Sequence, residues 1–146
     1  MMREILFRGK RKDSGEWVFG CYYKQSEFFG DEVDDHIIIT SNEDLSFDQA
    51  LDYYDVQPET VGQFTGLTDK NGKKIFEGDI VDASNEWWNA CGPAGHSSPF
   101  IKVEWDENFC GFTPFANYDC DCGVYINAGN CEIIGNIHDN PELLQE

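Results

Sequence analysis

Positive charge is what this 146-residue chain has least of: 10 Lys and Arg stand against 28 Asp and Glu, a formal net charge of −18. The shortage is uneven, with 6 basic and 8 acidic residues in positions 1–40 but 4 and 20 in positions 41–146. Phosphate contacts need Lys and Arg, so the C-terminal part makes a poor nucleic-acid binder, and self-repulsion of this size disfavours contact with anionic lipid. Long hydrophobic runs are missing as well. No segment approaches the roughly 18 apolar residues of a membrane span. Met1-Met2-Arg3-Glu4 runs into alternating apolar and charged residues, not into an apolar signal core. The expectation is a soluble, cytoplasmic chain with no membrane partner. An acidic solvated surface accounts for the charge; the sharper alternative is a carboxylate face that mimics a polyanion and competes for a basic protein.

Catalytic motifs are absent too. There is no G-x-S-x-G elbow, no H-E-x-x-H, and no His-x-Glu followed by Pro-Cys-x-x-Cys. Gly66–Lys73 misses a phosphate loop because five residues separate its glycines where the motif has four, and Lys74 replaces the magnesium-binding Ser or Thr. Asp69-Lys-Asn-Gly72 lacks the alternating ligands and terminal Glu of a calcium loop. Six cysteines remain: Cys21, Cys91, Cys110, Cys120, Cys122 and Cys131. In a reducing compartment they are expected as free thiols. Their closest pair is a C-x-C, not the paired C-x2-C of structural zinc sites. The expectation is therefore no metal and no cofactor; in a metal-binding alternative Cys91, His96, Cys110 and Cys131 would join Cys120 and Cys122. Cys91 and His96 share a loop with Gly92, Pro93 and Gly95, which offers little rigidity to a thiol–imidazole pair.

What the chain does have is turn chemistry between short apolar runs. Residues 4–23 read as a β-hairpin, Ile5 and Phe7 alternating on one strand, Trp17, Phe19 and Cys21 on the other, with a basic Gly9–Gly15 tip between them. An acidic loop (Asp31, Glu32, Asp34, Asp35) precedes a strand at His36–Thr40. Phe47–Asp55 reads as a helix: Ser46 can cap it, Gln49 completes a capping box, and Phe47, Ala50, Leu51 and Tyr54 form one stripe ended by Pro58. From Val61 the pattern is β throughout. Asn71-Gly72 marks a tight turn, and Gly78-Asp79 opens an Ile80-Val81 strand as in SH3-like barrels. Ile101, Val103 and Trp105 alternate with charges in a further strand. Phe112–Phe115, Val124–Ile126 and Glu132–Ile137 follow, and Pro141 starts a final helical turn.

Four segments carry a family resemblance: Phe7-Arg-Gly-Lys-Arg…Gly15-Glu-Trp-Val-Phe-Gly20, Glu59-Thr-Val-Gly-Gln-Phe-Thr-Gly66, Leu67-Thr-Asp-Lys-Asn-Gly-Lys-Lys-Ile-Phe-Glu-Gly-Asp-Ile-Val81 and Ile134-Gly-Asn-Ile-His-Asp-Asn-Pro-Glu-Leu-Leu144. Together, and in this order, they resemble the YopX family of phage and prophage proteins. The resemblance implies a mostly β protein, an SH3-type C-terminal half and a phage or prophage gene; it brings no catalytic residues with it.

The combined expectation is a mainly β chain, with an N-terminal β-hairpin and helix region (1–58) packed on a C-terminal SH3-like β-barrel (59–146). The expected function is non-enzymatic, through protein–protein contacts: a homo-oligomer with an unidentified host or phage protein as partner, and no nucleic acid. Trp87 and Trp88, adjacent in the long loop 84–99, are the candidate partner-binding residues, since one of two neighbouring aromatics can stay outside the core. The alternatives are the acidic DNA mimic and a small metal- or thiol-dependent hydrolase built on Cys91, His96 and Cys110–Cys131.

Overall fold

Turn geometry fixes most of the architecture. The computed structural model of the chain describes residues 3–41, 51–85, 99–115 and 126–144. It divides into two units, Met1–Phe64 and Thr65–Glu146.

In the first unit Phe7–Lys10 (β1) and Trp17–Phe28 (β2) form the expected antiparallel hairpin, with Phe7 opposite Gly20. Gly15 closes it at φ 73°, donating its N–H to the Arg11 carbonyl at 2.9 Å. The next turn is Phe29-Gly30, at φ 49° and 84°. Two successive positive-φ residues match the right-handed twist of the flanking strands, so β2 folds straight back as Asp31–Ser41 (β3). Leu51–Asp55 (β4) pairs with the far end of β3, Ile39 opposite Tyr53. Gly62–Thr68 (β5) begins in this unit, where Gln63 lies opposite Phe7 of β1. The order is β4-β3-β2-β1-β5. Ile38 and Val56 are fully buried on this unit's packed side. Nearby, the Tyr22 ring lies 5.7 Å from that of Phe7 and 5.9 Å from that of His36.

Two expectations are corrected here. Residues 51–55 are a strand, not the second half of a helix; residues 47–50 lie outside the described residues. A nine-residue helix is marginal without strong packing, whereas Tyr53-Tyr54 suit a pleated surface and the Ile37–Ile39 edge of β3 supplies the backbone partners. The acidic segment 31–35 is the first part of β3, not a loop, because the turn falls earlier, at Phe29-Gly30.

In the second unit the rest of β5 leads through Asp69–Gly72 into Lys74–Phe76 (β6). Asp69 Oδ1 accepts the N–H groups of Asn71 and Lys73, both at 2.9 Å, and Oδ2 accepts that of Ile133 at 3.1 Å. Gly78 at φ 92° turns the chain, and the buried Asp79 carboxylate accepts the Phe76 N–H at 2.8 Å. The Gly-Asp step thus does locally what its chemistry implies. Asp79–Asp82 (β7) is the centre of an antiparallel three-stranded sheet between Phe100–Lys102 (β8) and Glu132–Asn136 (β11). Glu104–Asp106 (β9) pairs instead with Gly111–Thr113 (β10).

The alternating run 101–105 is therefore two strands. Between them Val103 is buried, its N–H donating to the Asp79 carbonyl and its carbonyl accepting from Gly78 N–H, both at 2.8 Å. Anchored there, the chain leaves one sheet and enters the next. Among the described residues the sheets stay open and do not close into the expected barrel. Around Val103 the core gathers Ile75, Val81, Ala83, Phe112, Ile126 and Cys131. Pro141–Leu144 forms the expected terminal turn as a 3-10 helix. No helix among the described residues is long and apolar enough to cross a membrane.

Candidate functional site

β2 begins Trp-Val-Phe-Gly-Cys-Tyr-Tyr, with apolar and aromatic residues on both faces. A strand of that kind is usually covered on both sides. Residues directly opposite in antiparallel strands share a face, so the pairings Cys21–Ile39–Tyr53 and Tyr23–Ile37 place five residues on one face, with Phe19 two positions before Cys21. The other face carries Tyr22 and the buried Ile38. On the first face Phe19, Cys21, Tyr23 and Tyr53 are exposed, Tyr53 at 63% and Tyr23 at 55%; Ile37 and Ile39 are half-buried. Most of this apolar, aromatic sheet face is thus open to solvent, in a chain whose net charge is −18.

The same two strands continue beyond their neighbours. β1 pairs with β2 only at Trp17–Gly20, and β4 with β3 only at Ile37–Ser41. The hairpin from Lys24 to Asp35 projects beyond these pairings, a reach of about 15 Å at the rise of a β-strand. Its tip carries Phe28 and Phe29, rings 4.5 Å apart and edge to face, with Phe29 92% exposed. The left-handed backbone costs a residue with a Cβ about 1–2 kcal/mol. Asn or Gly is the usual occupant of such a position, so Phe29 stands there against local preference. Around the pair Glu27, Asp31, Glu32 and Asp34 are exposed. Lys24 lies 3.7 Å from Asp34, which is also 3.2 Å from His36 Nε2; the other His36 nitrogen is 2.5 Å from the Tyr22 hydroxyl.

The basic hairpin tip is occupied internally. Arg11 donates to both Asp13 oxygens, at 2.9 and 2.6 Å, and its guanidinium lies 4.6 Å over the Tyr54 ring. The hydrogen bond from Arg11 is the main reason the Asp13 carboxyl sits below its ordinary pKa. Arg8 and Lys10 lie 4.5 and 5.6 Å over the Trp17 ring. These cations serve intramolecular contacts.

Of the residues nominated from sequence, Trp87, Trp88, Cys91, His96, Cys120 and Cys122 lie outside the described residues. Cys110 is exposed in the β9–β10 turn at φ 50°, its Sγ donating to the Glu107 carbonyl at 3.5 Å. Cys131 is sealed in the core, its Sγ donating to the Asn127 carbonyl at 3.4 Å. These two candidates thus sit in opposite environments. Among the described residues no group of three or more His, Cys, Asp or Glu is placed to hold a metal ion. Sequence reasoning missed the exposed face and the projecting arm. The signal available was the two-sided apolar character of β2 together with Phe29-Gly30.

The chain is thus a mainly β protein of short antiparallel sheets whose most distinctive surface is apolar and aromatic. Residues 6–145 match the family model described as YopX protein, and the chain belongs to the YopX family. No curated protein matches it. Among solved structures it is similar to the crystal structure of protein EF1440 from Enterococcus faecalis, at 20% sequence identity and a TM-score of 0.48, over 99% of this chain and 100% of that one.

Proposed function

We propose that this chain is a phage- or prophage-encoded, non-enzymatic protein of the bacterial cytoplasm that works through protein–protein contacts, its own self-association among them. The observation that carries this reading is the open aromatic face of β2, β3 and β4. Burying it removes apolar area from water on both partners, and a continuous face used by two copies makes a two-fold dimer the simplest assembly. On this reading the second unit is an SH3-like scaffold, supported by its succession of short antiparallel strands and by the switch of sheets at Val103. The test is native mass spectrometry of the full chain beside a Tyr23→Ser/Tyr53→Ser variant. Both positions are exposed, so the variant keeps its fold; the wild type is expected as an oligomer and the variant as a monomer. An unchanged oligomer in the variant removes the face from the proposal. A second reading, an acidic polyanion mimic, is favoured by the exposed carboxylates of the arm and predicts a monomeric wild type that binds a basic protein.

A further inference from the structure

We infer that the tip of the β2–β3 arm is a docking element for a different protein, one that offers an apolar pocket rimmed by Lys or Arg. The inference rests on the reading that the chain works through protein contacts, and it names the chemistry of the partner. Three observations meet at the tip. Phe28 and Phe29 are both exposed, packed edge to face on one another. Phe29 holds a left-handed backbone, φ 49°, that Asn would adopt with less strain, so the turn itself does not call for an aromatic ring. Local rules broken in this way mark functional positions more often than structural ones. Aromatic side chains inserted in a pocket are also the usual anchors of interfaces.

The charges around the tip choose the occupant. Glu27, Asp31, Glu32 and Asp34 are exposed beside the rings, and Lys24 is the arm's one cation, already near Asp34. A pocket lined by carboxylates would be repelled, whereas a rim of Lys or Arg complements these groups and steers the encounter. A second copy fits poorly: the chain carries −18 overall, and Arg8, Lys10 and Arg11 of its basic hairpin already lie against Trp17, Asp13 and Tyr54, which leaves Lys12 as the exposed cation there.

The experiment places the photo-reactive residue p-benzoylphenylalanine at position 29 of the full chain, expressed in the bacterium that carries the gene, and sequences the peptides cross-linked on illumination. The expected result is a segment of another protein with apolar residues flanked by Lys or Arg. That protein, purified, should bind the wild type in a salt-sensitive manner. Asp31→Asn/Glu32→Gln should weaken binding, and Phe29→Asn should weaken it by about thirtyfold or more, the effect of removing an aromatic anchor. Phe29→Asn should also raise the melting temperature, because Asn-Gly suits this turn; a merely structural Phe29 would show a fall. Cross-links to a second copy, to a segment without basic residues or to nothing overturn the inference, as does thirtyfold binding retained by Phe29→Asn. If the arm fails while the Tyr23/Tyr53 face still supports an oligomer, the arm alone is wrong; if both fail, the protein-contact reading falls with it.

Discussion

Replacing Asp69 with Ala should lower the melting temperature of the second unit by roughly 12–24 °C. The carboxylate is 5% exposed and accepts three backbone N–H groups, from Asn71, Lys73 and Ile133. It closes the β5–β6 turn and ties that turn to β11, far along the chain. A bond to a charged acceptor contributes about 1.5–3 kcal/mol when its loss strands a buried donor. The half-buried Ile133 amide is the one most fully stranded; the two turn amides can recover water and count for less. The sum is about 3 kcal/mol, and each kcal/mol is worth roughly 4–8 °C in a domain of this size.

The pH dependence supplies a second readout. Burial alone would raise the Asp69 pKa, but hydrogen bonds from Ile133, Lys73 and Asn71 outweigh it and hold the group below its ordinary 3.8. A depressed folded pKa stabilises the fold fully above the unfolded value, and the contribution is lost as pH falls below about 3.8 through the folded one. Asp69→Asn keeps the shape but turns an amide donor toward one of the three N–H groups, so it should fall between wild type and Ala and lose the acid-side slope due to this group. Calorimetric melts between neutral and acid pH measure both effects. An Ala variant within roughly 4 °C of wild type, or an unchanged acid slope, would refute the assignment.

Two further outcomes follow from the first unit. Gly20→Ala should abolish or severely weaken its fold, read by far-UV circular dichroism, because a Cβ there would lie 2.0 Å from the Ile39 carbonyl oxygen, a backbone atom that cannot swing aside. Removing Arg11 with Arg11→Ala should return the Asp13 carboxyl toward its ordinary pKa, since the Arg11 hydrogen bond is the largest cause of its depression; NMR titration of Asp13 would show the shift, and no change would contradict the ion-pair geometry.

Legibility in the sequence followed the range of the forces involved. The β1–β2 hairpin, the Asp69–Gly72 turn and the Gly78-Asp79 step were readable because each is decided by a few neighbouring residues: glycines at positive φ, and carboxylates that bond amides two to four positions away. Residues 51–55 were not, because their spacing satisfies a helical stripe while the decision belongs to the edge of β3, distant in sequence. The start of β3 was hidden by its own turn, since Phe in a left-handed position is a signal that turn preferences do not anticipate. Strand continuity at 101–105 failed for a related reason: alternation describes which way side chains point, but the buried backbone pairing of Val103 with Gly78 and Asp79 decides where one sheet ends. The exposed face is harder still. Phe19, Tyr23 and Tyr53 look like core residues in sequence, and only the register shows that they share the face left open.

Sedimentation velocity of the full chain across a wide concentration range tests the central claim most directly. A sheet face that serves contact between copies predicts a concentration-dependent shift from monomer to dimer, reversed by Tyr23→Ser/Tyr53→Ser. A wild type that sediments as a monomer at every concentration would contradict it.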